Sequence, residues 1–195
     1  MPHRQPKPRK PATNQVRIIG GEHRGRKLTF PDAEGLRPTP DRVRETVFNW
    51  LQAYIPGAVC LDLFAGTGVL GFEALSRGAA KALFVEREPH IYKALQQNID
   101  LLKLADKSEL IQSDALMFMS NIQAASIDIL FLDPPYGKGL VSDCLKKMYD
   151  TQCLKPEGLL YLEQESQLGV PDLPGDWQIL KSKQAGQVSY YLIQA

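Results

Sequence analysis

At 195 residues, 44% hydrophobic and 23% charged, the chain is long enough for one well-buried domain with an appendage and too short for two full domains. Three scattered cysteines (Cys60, Cys144, Cys153) and three histidines (His3, His23, His90) without ligand-like spacing argue against a disulfide framework or a metal site. The formal net charge of +1 hides an asymmetry: residues 1–58 carry 11 Lys/Arg against 5 Asp/Glu, and residues 59–195 carry 12 against 17, the pattern of a basic segment for a polyanion on a neutral-to-acidic core. A basic, Pro-rich start with no apolar stretch behind it, and no later run near the ~18 apolar residues of a membrane span, predict a cytoplasmic protein with no membrane partner, expected to act as a monomer.

Residues 1–15, with Pro2, Pro6, Pro8 and Pro11 among Arg4, Lys7, Arg9 and Lys10, cannot bury enough apolar surface to order themselves and predict a flexible basic arm. Residues 16–57 read as a hairpin and helix extension. Short strand-like runs, Val16 to Ile19 and Lys27 to Phe30, flank Gly20, Gly21 and Gly25, and the hairpin carries Arg17, Arg24, Arg26 and Lys27. Thr39 offers a helix N-cap, Pro40 the first helical position and Asp41 a favourable charge in the first turn; Val43, Val47, Phe48 and Leu51 form the apolar face, and Pro56-Gly57 ends the helix.

In residues 58–195, short apolar strands alternate with helical segments, which predicts an α/β domain whose mostly parallel sheet has helices on both faces. Strands are expected at Val59 to Phe64, Ala80 to Glu86, Ser108 to Gln112, Ile127 to Leu132 and Leu159 to Glu163. Helices are expected at Gly68 to Arg77, Glu88 to Lys103, Asp114 to Asn121 and Leu140 to Gln152. Trp177 to Lys183 and Val188 to Ile193, on either side of Gly186, suggest a closing hairpin.

Asp62-Leu63-Phe64-Ala65-Gly66-Thr67-Gly68 falls where the first core strand turns into its helix, at the edge where open α/β sheets bind ligands. Gly66 and Gly68 permit a tight turn and close backbone approach, and the helix start offers amide donors to a carboxylate. Gly66, Gly68 and Gly71 also fit a dinucleotide fingerprint, so the acids must choose the ligand. Asp62 suits the cationic amino group of a methionine moiety and opposes a pyrophosphate, and Glu86, ending the second strand, is placed for ribose hydroxyls. Asp114 could accept from an adenine amino group, although an N-cap explains it as well, as a strand-end cap would explain Asp62 and an ordinary exposed acid Glu86.

Asp133-Pro134-Pro135-Tyr136 follows the apolar run ending at Leu132, and two prolines lock the backbone into an extended turn. An aryl amino group such as guanine N2 is a poor nucleophile because its lone pair is delocalised. The Asp133 carboxylate and the Pro134 carbonyl can accept both amino hydrogens and favour a pyramidal nitrogen, while Tyr136 stacks on the base. A Pro-rich loop with a capping Asp is the plain alternative, which the glycine turn at the expected place weakens.

These segments resemble the bacterial RsmD-type family of small-subunit ribosomal RNA guanine-N2 methyltransferases from about Val16 to Ala195. The likeness is carried by RIIGG at 17–21, RGRKL at 24–28, LRPTPDRVRETVFNWL at 36–51, DLFAGTGVLGFEALSRGA at 62–79 and DPPY at 133–136. Thr67 stands where Ser is common in the family and Val69 where Ala is common. The resemblance implies a Rossmann-like class I S-adenosylmethionine-dependent fold with a seven-stranded sheet. It implies that Asp62, Phe64, Gly66, Gly68, Glu86 and Asp114 line the cofactor and that Asp133, Pro134 and Tyr136 form the target-base pocket. It further implies that Arg37, Thr39, Arg42 and Arg44 frame the entrance or bind RNA, although pairing with Asp41 or Glu45 would also occupy some of these arginines. The implied partner is small-subunit ribosomal RNA, in an assembled or partly assembled subunit.

A DNA adenine-N6 or cytosine-N4 methyltransferase would share the chemistry, yet the interval between Asp62 and Asp133 leaves no room for a sizeable recognition region. Protein-glutamine methyltransferases carry Asn in place of Asp133. A non-catalytic RNA-binding assembly factor would not need the intact Asp133 and glycine turn.

Overall fold

The computed structural model describes residues 13–33, 36 and 38–195; the expected arm, up to residue 12, and Arg37 lie outside the described residues. Strands β1 (Thr13–Arg17) and β2 (Lys27–Pro31) pair antiparallel as a separate two-stranded sheet. Helix α1 (Asp41–Trp50) starts one position later than the sequence suggests: Pro40 occupies the cap, with no capping side chain. Thr39 is committed elsewhere, its hydroxyl lying 3.5 Å from Asp133 Oδ2 and its carbonyl accepting from Arg44 Nε.

The main sheet contains β3 (Val59–Asp62), β4 (Lys81–Glu86), β5 (Ser108–Gln112), β6 (Ile127–Leu132), β7 (Leu154–Glu165), β8 (Gln178–Ala185) and β9 (Val188–Gln194). Their spatial order is β5-β4-β3-β6-β7-β9-β8, with β9 alone reversed. The mostly parallel seven-stranded sheet is therefore present. Its intervening helices are α2 (Val69–Ser76), α3 (Pro89–Leu102), α4 (Ala115–Met119) and α5 (Leu140–Thr151). No helix of the described residues is long and apolar enough to cross a membrane.

Residues alternate between two cores across the sheet. Phe131, Tyr161, Tyr190 and Leu192 join the core beneath α1, α2 and α3, whereas Leu130, Leu132, Leu162, Tyr191 and Ile193 join the core with α4 and α5. Burial on both faces is why the central strands read as nearly continuous apolar runs. Strand β3 stops at Asp62 rather than Phe64 because the chain turns there, with the Leu63 amide donating to Phe131 and the Ala65 amide to Val85. Strand β7 begins at Leu154 rather than Leu159, passing an irregularity opposite Ile127 and Ile129.

The extension is not a separate unit in its packing. Ile18, Leu28, Val47 and Phe48 are fully buried in the same core as Phe72 and Phe84. Arg44 ties the pieces together from within. It is fully buried, and its guanidinium donates to the Arg17 carbonyl at 2.9 Å, Glu73 Oε1 at 2.8 Å, Asp41 Oδ1 at 2.6 Å and the Thr39 carbonyl at 3.0 Å. Glu73 on α2 is equally buried and also meets Arg77, whose guanidinium lies 5.0 Å above the Phe48 ring. Removing one partner of a buried pair leaves an uncompensated charge. Arg44→Ala should therefore cost about 3–5 kcal/mol in equilibrium urea unfolding; a loss under about 1 kcal/mol would mean that the hairpin, α1 and α2 are held by apolar packing alone.

Candidate active site

Strand order reverses between β3 and β6, and the predicted acids gather at the carboxyl ends of the strands on either side of that switch point. Asp62 ends β3 and is paired in register with Phe131, two residues before Asp133. Glu86 ends the neighbouring β4.

Asp62 is buried, and its Oδ2 accepts from the Gly71 amide at 3.1 Å in the first turn of α2. Burial pushes its carboxyl up to about 7; the Gly71 hydrogen bond opposes this and the charge of Glu86 adds to it. A buried carboxylate that holds its proton this tightly fits a cationic partner such as an α-amino group. Glu86 is also buried, not the ordinary exposed acid, and it braces the turn: Oε2 accepts from the Gly66 amide at 3.0 Å and Oε1 from the Glu88 amide at 2.8 Å. Each oxygen retains a second lone pair for a hydroxyl donor.

Gly66 and Gly68 adopt positive φ of 50° and 73°, a region that L side chains avoid. A Cβ on Gly66 would lie 2.9 Å from Leu36, and one on Gly68 would strike Leu95 and Phe72, so the turn is filled to its backbone. Half-buried Phe64 lies on the same turn. Asp114 is exposed and caps α4, its Oδ1 accepting from Leu116 and Met117 amides at 2.9 and 3.2 Å. The capping alternative is thus realised, with Oδ2 left over.

Beyond β6, Pro134 is buried, Asp133 is partly buried beside Thr39, and Tyr136 is 46% exposed. Burial, followed by the charges of Glu163 and Asp62, holds the Asp133 carboxyl well above the usual carboxylate range, with the Thr39 hydroxyl acting the other way. Glu163 escaped the sequence reading. It is buried on β7, accepts from the Tyr136 hydroxyl at 3.0 Å and from the Tyr161 hydroxyl at 2.7 Å, and its own carboxyl is raised by burial against these two donors. Two residues along, Glu165 accepts from the Gly137 amide at 2.6 Å. An acid following the apolar run Leu159 to Leu162 was the available signal, since a charge in a doubly buried strand needs partners.

The predicted basic residues are not gathered in one place. Arg44 is removed from the RNA-facing set by its complete burial, and Thr39 is buried against Asp133 rather than open to a strand. The hairpin turn sits at the far ends of α2 and α3, where the Glu22 amide meets the Ser76 carbonyl and Arg26 reaches the Leu101 carbonyl. Arg24 and Arg26 are exposed there; Lys27, also exposed, is the register partner of Arg17. Arg17 is exposed and ion-paired with Asp41. Of these residues Arg42, exposed in the first turn of α1, stays near the acid cluster.

The family described as "Conserved hypothetical protein 95" matches residues 16–194. This chain belongs to that family. It is 45% identical over 188 residues to Ribosomal RNA small subunit methyltransferase D of Escherichia coli, covering 96% of this chain and 94% of the relative. It is 44% identical over 185 residues to the protein of the same name from Haemophilus influenzae, covering 94% and 95%. The solved yhhF structure from Escherichia coli superposes with a TM-score of 0.86 at 43% identity, covering 93% of this chain and 98% of that one. The family's fold is that of class I methyltransferases, and this chain has it.

Tyr136 and Gly137 are anchored to β7 by two carboxylates, so the loop's order should depend on them. A hydrogen bond to a charged acceptor contributes about 1.5–3 kcal/mol. The Glu163→Ala, Glu165→Ala double variant should therefore exchange the amides of residues 136–139 about tenfold faster or more, with β6 amides unchanged. Unaltered protection would mean that Pro134 and Pro135 hold the loop unaided.

Proposed function

We propose that this chain transfers a methyl group from S-adenosylmethionine to the exocyclic N2 of a guanine in small-subunit ribosomal RNA, presented in an assembled or partly assembled subunit. The observation that carries the reading is Asp62 and Asp133 at the ends of adjacent strands at the switch point, one beside a glycine turn and the other in a tethered Pro-Pro-Tyr loop. The likeness to ribosomal RNA small subunit methyltransferase D supports the choice of substrate.

The residues present fit the cofactor. Asp62 would hold its amino group, Glu86 its ribose hydroxyls and Asp114 its adenine amino group, with Gly66 and Gly68 leaving room for it against the backbone and Phe64 beside it. Bound there, S-adenosylmethionine supplies an electrophilic methyl group on a positively charged sulfur. The chain's own residues prepare the nucleophile. Asp133 and the Pro134 carbonyl accept the two hydrogens of the guanine amino group, which draws its lone pair out of the ring. Tyr136, held at its hydroxyl by Glu163, leaves its ring open for the base to stack upon. The methylated nitrogen is cationic and strongly acidic, and Asp133 stands beside it with a raised proton affinity to take the departing proton.

A cationic amino group beside Asp62 must lower that carboxyl's pKa. In the free protein Asp62 holds its proton up to about 7, and in the complex it releases it. Cofactor binding should therefore expel protons from the ordinary carboxylate range up to pH 7, and affinity should rise with pH through that window and level off above it. Calorimetry in two buffers of different ionisation enthalpy reads the proton directly; proton uptake, or an affinity flat across the window, would remove Asp62 from the amino-group contact. The same shift makes the ligand-free protein lose stability as pH rises through this range, because unfolding returns Asp62 to its ordinary value.

Asp133→Ala should leave cofactor affinity within a fewfold of wild type and lower single-turnover methyl transfer by about 10² to 10³, the usual cost of one preorganised electrostatic contact. Transfer within threefold of wild type would overturn the mechanism. Mass spectrometry of ribosomal RNA nucleosides from cells with and without the protein tests the base and the substrate together: loss of one N2-methylguanosine is expected.

A further inference from the structure

The Asp133 loop is held by two further acids, Glu163 on the Tyr136 hydroxyl and Glu165 on the Gly137 amide, so the base site is acidic: it accepts a neutral base and disfavours the phosphates on either side of it. An RNA strand delivering a base here needs cations close to that site. The tip of the basic hairpin does not supply them, because Arg24 and Arg26 lie where its turn docks on the far ends of α2 and α3, away from the strand ends that lead to Asp133.

A cleft of about 310 Å³ opens between the first turn of α1 and the tip of the β8–β9 hairpin. Arg42 and Val43 line one side, and Lys183, Gln184, Gly186 and Tyr190 the other. Three features tie it to the pocket. Lys183 pairs in register with Tyr190, and Tyr190 with Glu163, so the lysine sits two strand spacings, about 10 Å, from the carboxylate that holds Tyr136. Tyr190 belongs to the core on the α1 side, so Lys183, its register partner, projects from that same face. Across the cleft, Arg42 stands three residues after Thr39, whose hydroxyl lies against Asp133.

Among the described residues neither Arg42 nor Lys183 has an ion-pair partner, and Arg42 does not engage Glu45 one turn along. Arg17, by contrast, is paired with Asp41, and Arg44 is consumed inside the core. The strand that carries Lys183 is exposed along its whole length.

We propose that the cleft between Arg42 and Lys183 is a phosphodiester-binding subsite that holds the RNA backbone next to the target nucleotide. The proposal rests on the reading that the chain acts on RNA. The subsite divides labour with the pocket: the pocket excludes charge and takes the base, while the cleft neutralises the backbone that the pocket refuses. Lys183 has a second physical role available, since lysines on an edge strand also discourage pairing with another chain. That role makes no demand on RNA affinity, which lets the two be separated.

The test uses small ribosomal subunits purified from cells lacking this protein, with binding measured across a salt series and methyl transfer measured alongside. Each phosphate contact contributes about 0.7 to 0.9 to the slope of log affinity against log salt. Lys183→Gln and Arg42→Gln should each lower the slope by about that amount, and the double variant by about twice as much. Calorimetric affinity for S-adenosylmethionine should stay at the wild-type value, and Lys183→Arg should keep the slope. Lys107→Gln, on the turn before β5 at the opposite edge, controls for net charge. A wild-type slope in Lys183→Gln overturns the subsite and leaves the lysine as an edge guard; an equal fall in Lys107→Gln assigns the effect to net charge and overturns it as well. Wild-type protein that neither binds nor methylates these subunits overturns the functional reading itself, an outcome distinct from active wild type with an unchanged Lys183→Gln.

Discussion

Four carboxyl groups, those of Asp62, Glu86, Asp133 and Glu163, are brought to one edge of a sheet and largely removed from water. Burial raises the carboxyls of Asp62, Asp133 and Glu163, and neighbouring carboxylates add to the rise at Asp62 and Asp133. Much of the local structure answers that problem. The glycine turn aims the Gly66 and Gly71 amides at Glu86 and Asp62, the Thr39 hydroxyl lies by Asp133, and two phenols converge on Glu163. Satisfaction is uneven. Glu86 and Glu163 have two donors each, whereas Asp62 and Asp133 have one each among the described residues. The under-satisfied acids are the two that the proposed reaction needs.

The α/β pattern was legible because strands buried on both faces must be apolar throughout and helices covering them must be amphipathic, so period and length separate the two. The glycine turn and the Pro-Pro loop were legible because backbone geometry demands those residue types. Arg44 was misread for an equally physical reason. A charged residue within LRPTPDRVRETVFNWL looks solvated or substrate-facing, but position 44 precedes Val47 and Phe48 by three and four residues and so lies on their buried stripe. Its partner Glu73 sits within α2, which is buried along its whole length, and the pair could be seen only once tertiary packing joined the two helices.

The position of the hairpin illustrates a second limit. Its sequence announces a basic surface, and the structure keeps Arg24 and Arg26 exposed. What the sequence does not carry is where that surface points. The turn docks on α2 mainly through its own backbone, the His23 amide and Gly20 carbonyl meeting the Ser76 hydroxyl and the Ile19 amide meeting Glu73, partners far away along the sequence. The sequence expectation named a basic hairpin and, by resemblance, a set of entrance residues without their relative placement; the fold separates the hairpin turn, at the far ends of α2 and α3, from Arg42 in the first turn of α1.

That split bears on the form of the substrate. A short single strand that reached the Asp133 loop would meet Arg42 before Arg24 or Arg26, which sit where the hairpin turn docks on the far ends of α2 and α3. Contact with both groups requires an RNA surface that extends around the hairpin, as folded RNA in a ribosomal subunit does. The acidic pocket points the same way. A base enters it only if its phosphates stay outside, which requires a nucleotide already turned out of its stack and a backbone held in place by something other than the pocket. Under the proposed function a preformed subunit would offer both conditions, and the division between an acidic pocket and cations outside it would set specificity by shape and presentation of the target rather than by reading its neighbours in sequence.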